Sequence, residues 1–177
     1  MKKILFTIAF LALACALKAD RDPGRRDARV IASEDGAYFL LASRVSERSQ
    51  TWLWTVYSVG LDGVFKEFWS GDGIYSRDIY LADDGNHIVC VEDWPTGAMA
   101  KEDIVIAVYT RGTLLKAYRT VDLVGDVSRI RRSVSHYRWL AEGTFLHSNG
   151  GTMFFTTADG KDFTLDMITG ELNWSLK

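Results

Sequence analysis

The sequence is poor in residues that build cross-linked or reactive sites. It has two cysteines, Cys15 and Cys90, two prolines and three histidines among 177 residues. Cys15 lies in an N-terminal segment that we expect to be removed, so no intramolecular disulfide is predicted. Cys90 stands between Val89 and Val91 in the most apolar stretch. A lone thiol lasts best in a protein core, and we therefore predict a core cysteine.

Residue patterns that carry catalysis or metal binding are also lacking. The histidines, His87, His136 and His147, do not have the paired spacing of a zinc site. No Gly-x-Ser-x-Gly motif marks a nucleophilic serine, and no two carboxylates have a spacing that defines an acid–base dyad. We therefore predict that the protein is not an enzyme and has no catalytic residue, no metal site and no cofactor.

The N-terminus predicts export. A short basic start precedes the apolar run at residues 4–17, which is shorter than the roughly 20 residues that span a bilayer. We predict a signal peptide, residues 1–19, and no membrane span. The alternative is lipoprotein processing at Cys15, which follows Ala12-Leu13-Ala14. Cleavage places the protein in the periplasm or outside the cell, and acylation would anchor it to a membrane.

The balance of charge argues against one class of partner. The full chain has 21 Lys and Arg against 23 Asp and Glu, a formal charge of −2. Loss of the signal peptide removes Lys2, Lys3 and Lys18 and makes the mature chain more acidic. Binding to a phosphate backbone needs a basic footprint, so we do not expect a nucleic-acid partner.

Hairpin signals recur from residue 29 onward. Asp35-Gly36, Asp84-Gly85 and Asn149-Gly150 each stand between β-prone runs, where glycine supports a positive φ. The runs around them form three four-stranded units at a spacing of roughly 45 to 65 residues, which is typical of repeat architectures. Residues 88–91 and 104–109 are apolar at consecutive positions, which predicts strands covered on both faces.

These units resemble the blades of β-propellers of the WD40-like and quinoprotein-like kinds found in secreted bacterial proteins. The resemblance covers most of residues 29–176 and implies antiparallel sheets that bury their faces against one another. Propellers close with about four or more blades, and this chain has three units. We therefore predict an all-β, incomplete or distorted β-propeller, with an orthogonal β-sandwich as the alternative. The single domain is predicted at 29–177, after a flexible lead-in at 20–28.

The long loop, residues 92–102, is the first candidate contact segment. It contains Trp94, Met99 and Lys101 and joins two strands that we predict to be buried. Loops on a rigid scaffold commonly carry binding residues, so we predict that these three side chains contact a partner.

The second candidate segment interrupts the repeat at residues 121–140. It contains Arg131, Arg132 and Arg138 and ends in an alternating, strand-like run at 133–139. Arginine together with tyrosine and tryptophan is the composition of interface hot spots, which predicts a patch that contacts an acidic surface of a partner. The alternative is a solvated segment whose arginines pair with nearby acids.

Together these features favour a non-enzymatic, extracytoplasmic protein-binding module. In size, signal and Asp-Gly hairpins the chain is similar to the immunity proteins that protect bacteria from peptidoglycan-cleaving amidase effectors of type VI secretion. That resemblance implies an inhibitor whose long loop enters the cleft of a secreted or periplasmic hydrolase.

Two other hypotheses about function follow from the same features. One is an envelope glycan-binding protein or a hydrolase whose site forms only by tertiary proximity, with sugar stacked on Trp52, Trp54, Trp94 or Trp139. The other is assembly: an open array of three units leaves strand edges to cover, so a homodimer is also predicted.

Overall fold

Three four-stranded antiparallel sheets contain most of the strands. The computed structural model describes residues 28–46, 51–93, 95, 103–142 and 146–176. Sheet 1 consists of β1 (Ala28–Ala32), β2 (Tyr38–Arg44), β3 (Trp52–Val59) and β4 (Phe65–Gly73). Sheet 2 consists of β5 (Asp78–Leu81), β6 (His87–Val91), β7 (Ile104–Thr110) and β8 (Thr113–Arg119). Sheet 3 consists of β11 (His147–Asn149), β12 (Thr152–Thr156), β13 (Lys161–Asp166) and β14 (Leu172–Leu176). The prediction of an all-β chain is confirmed.

The segment between sheets 2 and 3 departs from this pattern. It contains a helix, α1 (Thr120–Leu123), a 3₁₀ turn (Val127–Arg129) and a two-stranded ladder of β9 (Arg131–Arg132) and β10 (Tyr137–Arg138). Within the described residues no helix is long and apolar enough to cross a bilayer.

The predicted turns form where the Asp-Gly pairs stand. Gly36 and Gly85 have φ angles of 72° and 66°, the left-handed region that glycine enters without a Cβ clash. At the second turn, Asp84 Oδ1 accepts hydrogen bonds from the backbone N–H of Asn86 at 2.9 Å and of His87 at 3.1 Å. The acidic residue before glycine therefore closes the turn with its side chain.

The core has two parts, one on each side of sheet 2. Ile88 and Cys90 in β6 pack with the buried residues of sheet 1. Val89 and Val91 in the same strand pack with buried residues of β10 and sheet 3. Alternate side chains of a strand point to opposite faces, so β6 is covered on both. This confirms what its uninterrupted apolar sequence predicted.

Turns from the three sheets contact one another. Asp83 Oδ1, in the β5–β6 turn, accepts hydrogen bonds from the backbone N–H of Glu34 at 2.9 Å and of Asp35 at 3.1 Å, both in the β1–β2 turn. The Asp83 N–H donates to the carbonyl of Gly150 at 2.9 Å, in the β11–β12 turn. The Gly150 N–H in turn donates to Glu34 Oε2 at 2.6 Å. The first hairpin turns of the sheets thus meet, while the described sheets form no closed ring.

Candidate functional site

The arginine hairpin, residues 131–138, is the element that interrupts the repeat. Of the strand-like run predicted at 133–139, only Tyr137 and Arg138 lie in a strand, so most of that prediction is wrong. The reason is Ser133, whose Oγ accepts hydrogen bonds from the backbone N–H groups of Ser135 at 3.3 Å and His136 at 3.0 Å. Serine side chains that bond to nearby backbone in this way favour turns over strands.

The arginine hairpin is fixed to the ends of the long loop. Trp139 Nε1 donates to the carbonyl of Glu92 at 2.7 Å, and the Tyr137 N–H donates to the carbonyl of Pro95 at 3.2 Å. The Tyr137 phenol donates to Asp103 Oδ2 at 3.0 Å. The first two contacts hold the start of the loop and the third holds its end. The two segments that the sequence marked separately are therefore neighbours.

Tyr137 and Trp139 are core residues rather than contact residues. Their side chains are 1% and 0% exposed and belong to the core between sheets 2 and 3. The interpretation of this segment's aromatic side chains as interface contacts is therefore wrong for Tyr137 and Trp139. A signal for this was present in the sequence, because alternation along a strand places Tyr137 and Trp139 on one face and Arg138 on the other.

The Tyr137 phenol is in a buried polar group. Thr120 Oγ1, which is fully buried, lies 2.8 Å from the phenol oxygen. Burial and the hydrogen bond to Asp103 raise the pKa of Tyr137 to about 12, against the lowering effect of Thr120. The phenol stays protonated at neutral pH and continues to donate to the carboxylate, which stabilises the junction between loop and hairpin. The sequence did not mark Thr120 or Asp103.

The three arginines selected from the sequence line one cavity of about 280 Å³. Its wall also includes Ser133, His136, Tyr137 and Glu142. The wall contains three arginine side chains and one carboxylate, so the cavity is locally basic on a chain that is acidic overall. Such a wall is suited to carboxylate or phosphate groups, which the planar guanidinium binds with two parallel hydrogen bonds.

Two of these arginines differ in their surroundings. Arg131 Nη2 lies 2.7 Å from Glu142 Oε2, and both side chains are largely exposed. An exposed pair of this kind contributes about 0–1 kcal/mol to stability. Arg138 Nε is buried and has no hydrogen-bond partner among the residues that the structure describes. A buried donor without an acceptor costs about 1–3 kcal/mol, more when it is charged.

A serine and a histidine also meet in this hairpin. Ser135 Oγ lies 2.9 Å from His136 Nδ1. Nucleophilic catalysis uses such a contact together with a third group that orients the imidazole and donors that bind an oxyanion. Here the two residues are chain neighbours in a turn, where serines commonly make local hydrogen bonds. The contact by itself therefore does not define a catalytic site.

The remaining predicted contact residues, Trp94, Met99 and Lys101, lie outside the described residues. The described ends of their loop, at Glu92, Pro95 and Asp103, are the positions that the arginine hairpin holds.

A second cavity, of about 250 Å³, lies beside the contact between sheets 1 and 2. Its wall is mainly apolar and includes Ile74, Tyr75, Cys90, Ala107, Tyr109 and Leu114. Cys90 is a free, buried cysteine, as predicted, and burial raises the pKa of its thiol. It is therefore an unreactive thiol at neutral pH.

Two tryptophans pack against the tyrosines of the second cavity. The ring centroids of Trp52 and Tyr75 are 5.3 Å apart, and those of Trp54 and Tyr109 are 5.1 Å apart. Trp52 and Trp54 are buried in the core between sheets 1 and 2. Together with buried Trp139, they have no exposed ring face on which a sugar could stack. Trp52 and Trp54 thus help to join sheets 1 and 2.

Neither a metal-binding cluster nor a similarity to known proteins indicates a function for this site. In the described part of the chain, no group of three or more His, Cys, Asp or Glu side chains could hold a metal ion. No protein-family profile matches the chain, and a search of curated proteins found no match. The arginine hairpin and the loop beside it are therefore the elements from which we infer a function.

Proposed function

We propose that this chain is a non-enzymatic, extracytoplasmic module that binds another protein. The proposed contact surface consists of the arginine hairpin and the adjoining long loop. On this proposal the signal peptide, residues 1–19, is cleaved and the protein acts in the periplasm or outside the cell. Lipid attachment at Cys15 is the alternative route to the same compartment.

The observation that carries the proposal is the attachment of the loop to the hairpin. The hydrogen bonds of Tyr137 and Trp139 to Glu92, Pro95 and Asp103 join two segments chosen for different reasons, one for loop position and one for arginine content. Side chains presented on a firmly anchored surface lose less conformational entropy on binding than those on a free loop. Two neighbouring candidate segments thus become one candidate surface.

Charge favours an acidic patch on the partner. Arg131, Arg132 and Arg138 concentrate positive charge on a chain whose formal charge is −2. Complementary charge speeds association and selects against basic partners. Arginine is also enriched among the residues that dominate binding energy at interfaces.

The specific form of the proposal is an immunity-type inhibitor of a secreted peptidoglycan hydrolase. In this form the long loop, with Trp94, Met99 and Lys101, enters the hydrolase cleft, and the arginine hairpin contacts the rim. The protein would then protect the cell that exports it.

The proposed architecture is an incomplete propeller. The contacts among the β1–β2, β5–β6 and β11–β12 turns support a radial arrangement, because equivalent turns of three successive sheets meet at one place. An orthogonal β-sandwich is the alternative arrangement. Self-association through uncovered sheet edges also stays a prediction.

Affinity purification from a cell-envelope extract tests the binding proposal. Wild-type chain should retain a discrete protein, and Arg132→Glu should lose at least about 90% of it, which corresponds to about 1.4 kcal/mol or more of binding energy. Lys66→Glu is the matched control, because Lys66 is also exposed and lies in β4 of sheet 1, outside the proposed contact surface. Circular dichroism checks that both variants fold.

Two results would count against the proposal. One is a wild-type chain that retains no protein, and the other is a partner that Arg132→Glu retains as well as Lys66→Glu does. The inhibitor form requires in addition that the retained protein cleaves peptidoglycan and that co-expression of the chain protects cells from it. If the retained protein does not cleave peptidoglycan, the binding proposal stands but the inhibitor form of it is wrong.

The second cavity favours one other candidate function, the carriage of a small apolar ligand. A dry apolar cavity of about 150 Å³ is large enough to bind benzene, so the volume of about 250 Å³ is sufficient for one substituted ring. Replacing Ala107 by Leu would fill part of this space. Loss of binding of a fluorescent apolar probe in Ala107→Leu, with normal binding in Arg132→Glu, would favour this candidate.

A further inference from the structure

Arg131 and Arg138 occupy directly opposed positions in the β9–β10 ladder. The register pairs Arg138 with Arg131 and Tyr137 with Arg132. Side chains at opposed positions lie on the same face with Cβ atoms about 4.5–5.5 Å apart, and like charges there repel each other. In the part of the chain that the structure describes, the ladder consists of these two residue pairs, and the Ser133 N–H donates to the carbonyl of His136 beside them at 2.8 Å.

The neighbouring carboxylate balances only part of this charge. Glu142 binds Arg131 at 2.7 Å. Arg138 Nε is buried, and no described residue accepts a hydrogen bond from it. The cavity wall thus has one arginine with a carboxylate partner and one with a buried donor that lacks an acceptor.

The chemistry of the wall selects the class of ligand. Guanidinium groups bind carboxylates and phosphates in planar, two-bonded geometry. Glu142 lies in the same wall and already places one carboxylate against Arg131. A phosphate dianion costs more to desolvate in this partly buried wall than a carboxylate monoanion does, because the cost of burying a charge rises with its square while the attraction to the arginines rises only in proportion to it. The wall therefore favours a singly charged ligand.

We propose that this cavity is a carboxylate-binding site that takes the side chain of an Asp or Glu residue from the protein partner, between Arg131 and Arg138. This inference rests on the proposed function and adds the chemical group that the arginine hairpin recognises. The volume of about 280 Å³ admits such a side chain with part of its backbone. The incoming carboxylate accepts hydrogen bonds from the guanidinium groups of Arg131 and Arg138 and lies between the two opposed cations.

Nuclear magnetic resonance on the purified chain tests the site without the partner. The probe is N-acetylglutamate, and the signal is the Nε–H resonance of Arg138, assigned by its loss in Arg138→Lys. N-acetylglutamate should shift this resonance in a saturable manner, whereas N-acetylglutamine, which has the same shape without the charge, should not. Inorganic phosphate should bind at least about threefold more weakly at a pH where it is mainly the dianion. A phosphate affinity equal to or above that of N-acetylglutamate would overturn the carboxylate assignment.

A matched pair of variants separates the cavity from general charge. Arg131→Gln should weaken N-acetylglutamate binding about tenfold. Arg129→Gln is the control, because Arg129 is also exposed and lies 3.4 Å from a carboxylate, that of Asp126, but is not part of the cavity wall. Equal weakening in both variants, or no saturable shift in the wild-type chain, would overturn the proposal. A thermal unfolding curve for each variant shows whether it has folded.

The outcome is distinguishable from that of the partner experiment. If N-acetylglutamate binds but the envelope extract yields no protein, the carboxylate site stands and a partner side chain as its source is wrong. If a partner is retained but N-acetylglutamate does not shift Arg138, the binding function stands and the carboxylate site is wrong.

Discussion

The phenol of Tyr137 donates a hydrogen bond to the carboxylate of Asp103 at 3.0 Å and thereby joins the arginine hairpin to the end of the long loop. The residues are 34 positions apart in the chain. Tyr137 is buried, and Thr120 lies against the same oxygen. The position of the proposed contact surface therefore depends on a polar group inside the protein.

Tyr137→Phe should destabilise the fold and loosen the loop. It removes the donor to Asp103 and leaves the buried hydroxyl of Thr120 without this partner, so we expect a loss of about 1–3 kcal/mol in the free energy of unfolding. Urea denaturation measures it. Tyr57→Phe is the control, because Tyr57 is only partly buried and its ring stacks on Phe39 at 4.9 Å. Its effect should stay within about 0.5 kcal/mol. Equal losses in the two variants would show that the Tyr137 hydroxyl has no special role.

Stability should fall as pH rises from 10 to about 12. Burial raises the pKa of Tyr80, Tyr109 and Tyr137 from 10.0 to about 12 in the folded protein. Above pH 10 the unfolded chain loses these protons while the folded protein keeps them, which favours unfolding. The stability that the neutral phenols contribute is fully present below pH 10. Urea midpoints across this range measure the fall, which should be smaller in Tyr137→Phe than in the wild type. A constant midpoint would contradict the assigned burial.

The close approach of sheets 1 and 2 at Gly85 gives a third prediction. Gly63→Ala and Gly85→Ala both place a Cβ at a positive φ, 74° and 66°, at a cost of about 1–2 kcal/mol each. A Cβ at Gly63 would meet nothing within 4 Å, whereas one at Gly85 would lie 2.5 Å from Cδ1 of Tyr38 in sheet 1. Overlap of this kind adds about 1–3 kcal/mol, so Gly85→Ala should be the more destabilising variant. Similar unfolding free energies for both would mean that Tyr38 moves aside freely.

Local pattern was enough to predict most strands of the three sheets and the Asp-Gly turns between them. Asp84 and Gly85 act within their own turn, through side-chain hydrogen bonds and a positive φ, and both effects are visible in sequence. The apolar run at residues 88–91 of β6 likewise predicted burial on two faces, because it contains no polar side chain that would point to solvent. The approach of Tyr38 to Gly85 was not predictable, since it depends on how two sheets pack.

The candidate site was predictable only in part. Arginine content marked Arg131, Arg132 and Arg138, but their common cavity depends on a turn made by Ser133. The contact between Tyr137 and Asp103 joins distant parts of the chain and has no local signature. The arginine, tyrosine and tryptophan content of residues 121–140 resembled an interface hot spot and suggested that Trp139 contacts a partner. Strand alternation instead placed Trp139 with the core.

Site-specific photo-crosslinking in growing cells tests whether the arginine hairpin contacts a protein partner. Val134 in the arginine hairpin and Leu61 in the β3–β4 turn are both fully exposed, so either can be replaced by p-benzoylphenylalanine without loss of core packing. We expect a discrete protein adduct from the position of Val134 and none from that of Leu61. An adduct only at Leu61, or none at either position under conditions where the chain is exported and folded, would rule out the arginine hairpin as the contact surface.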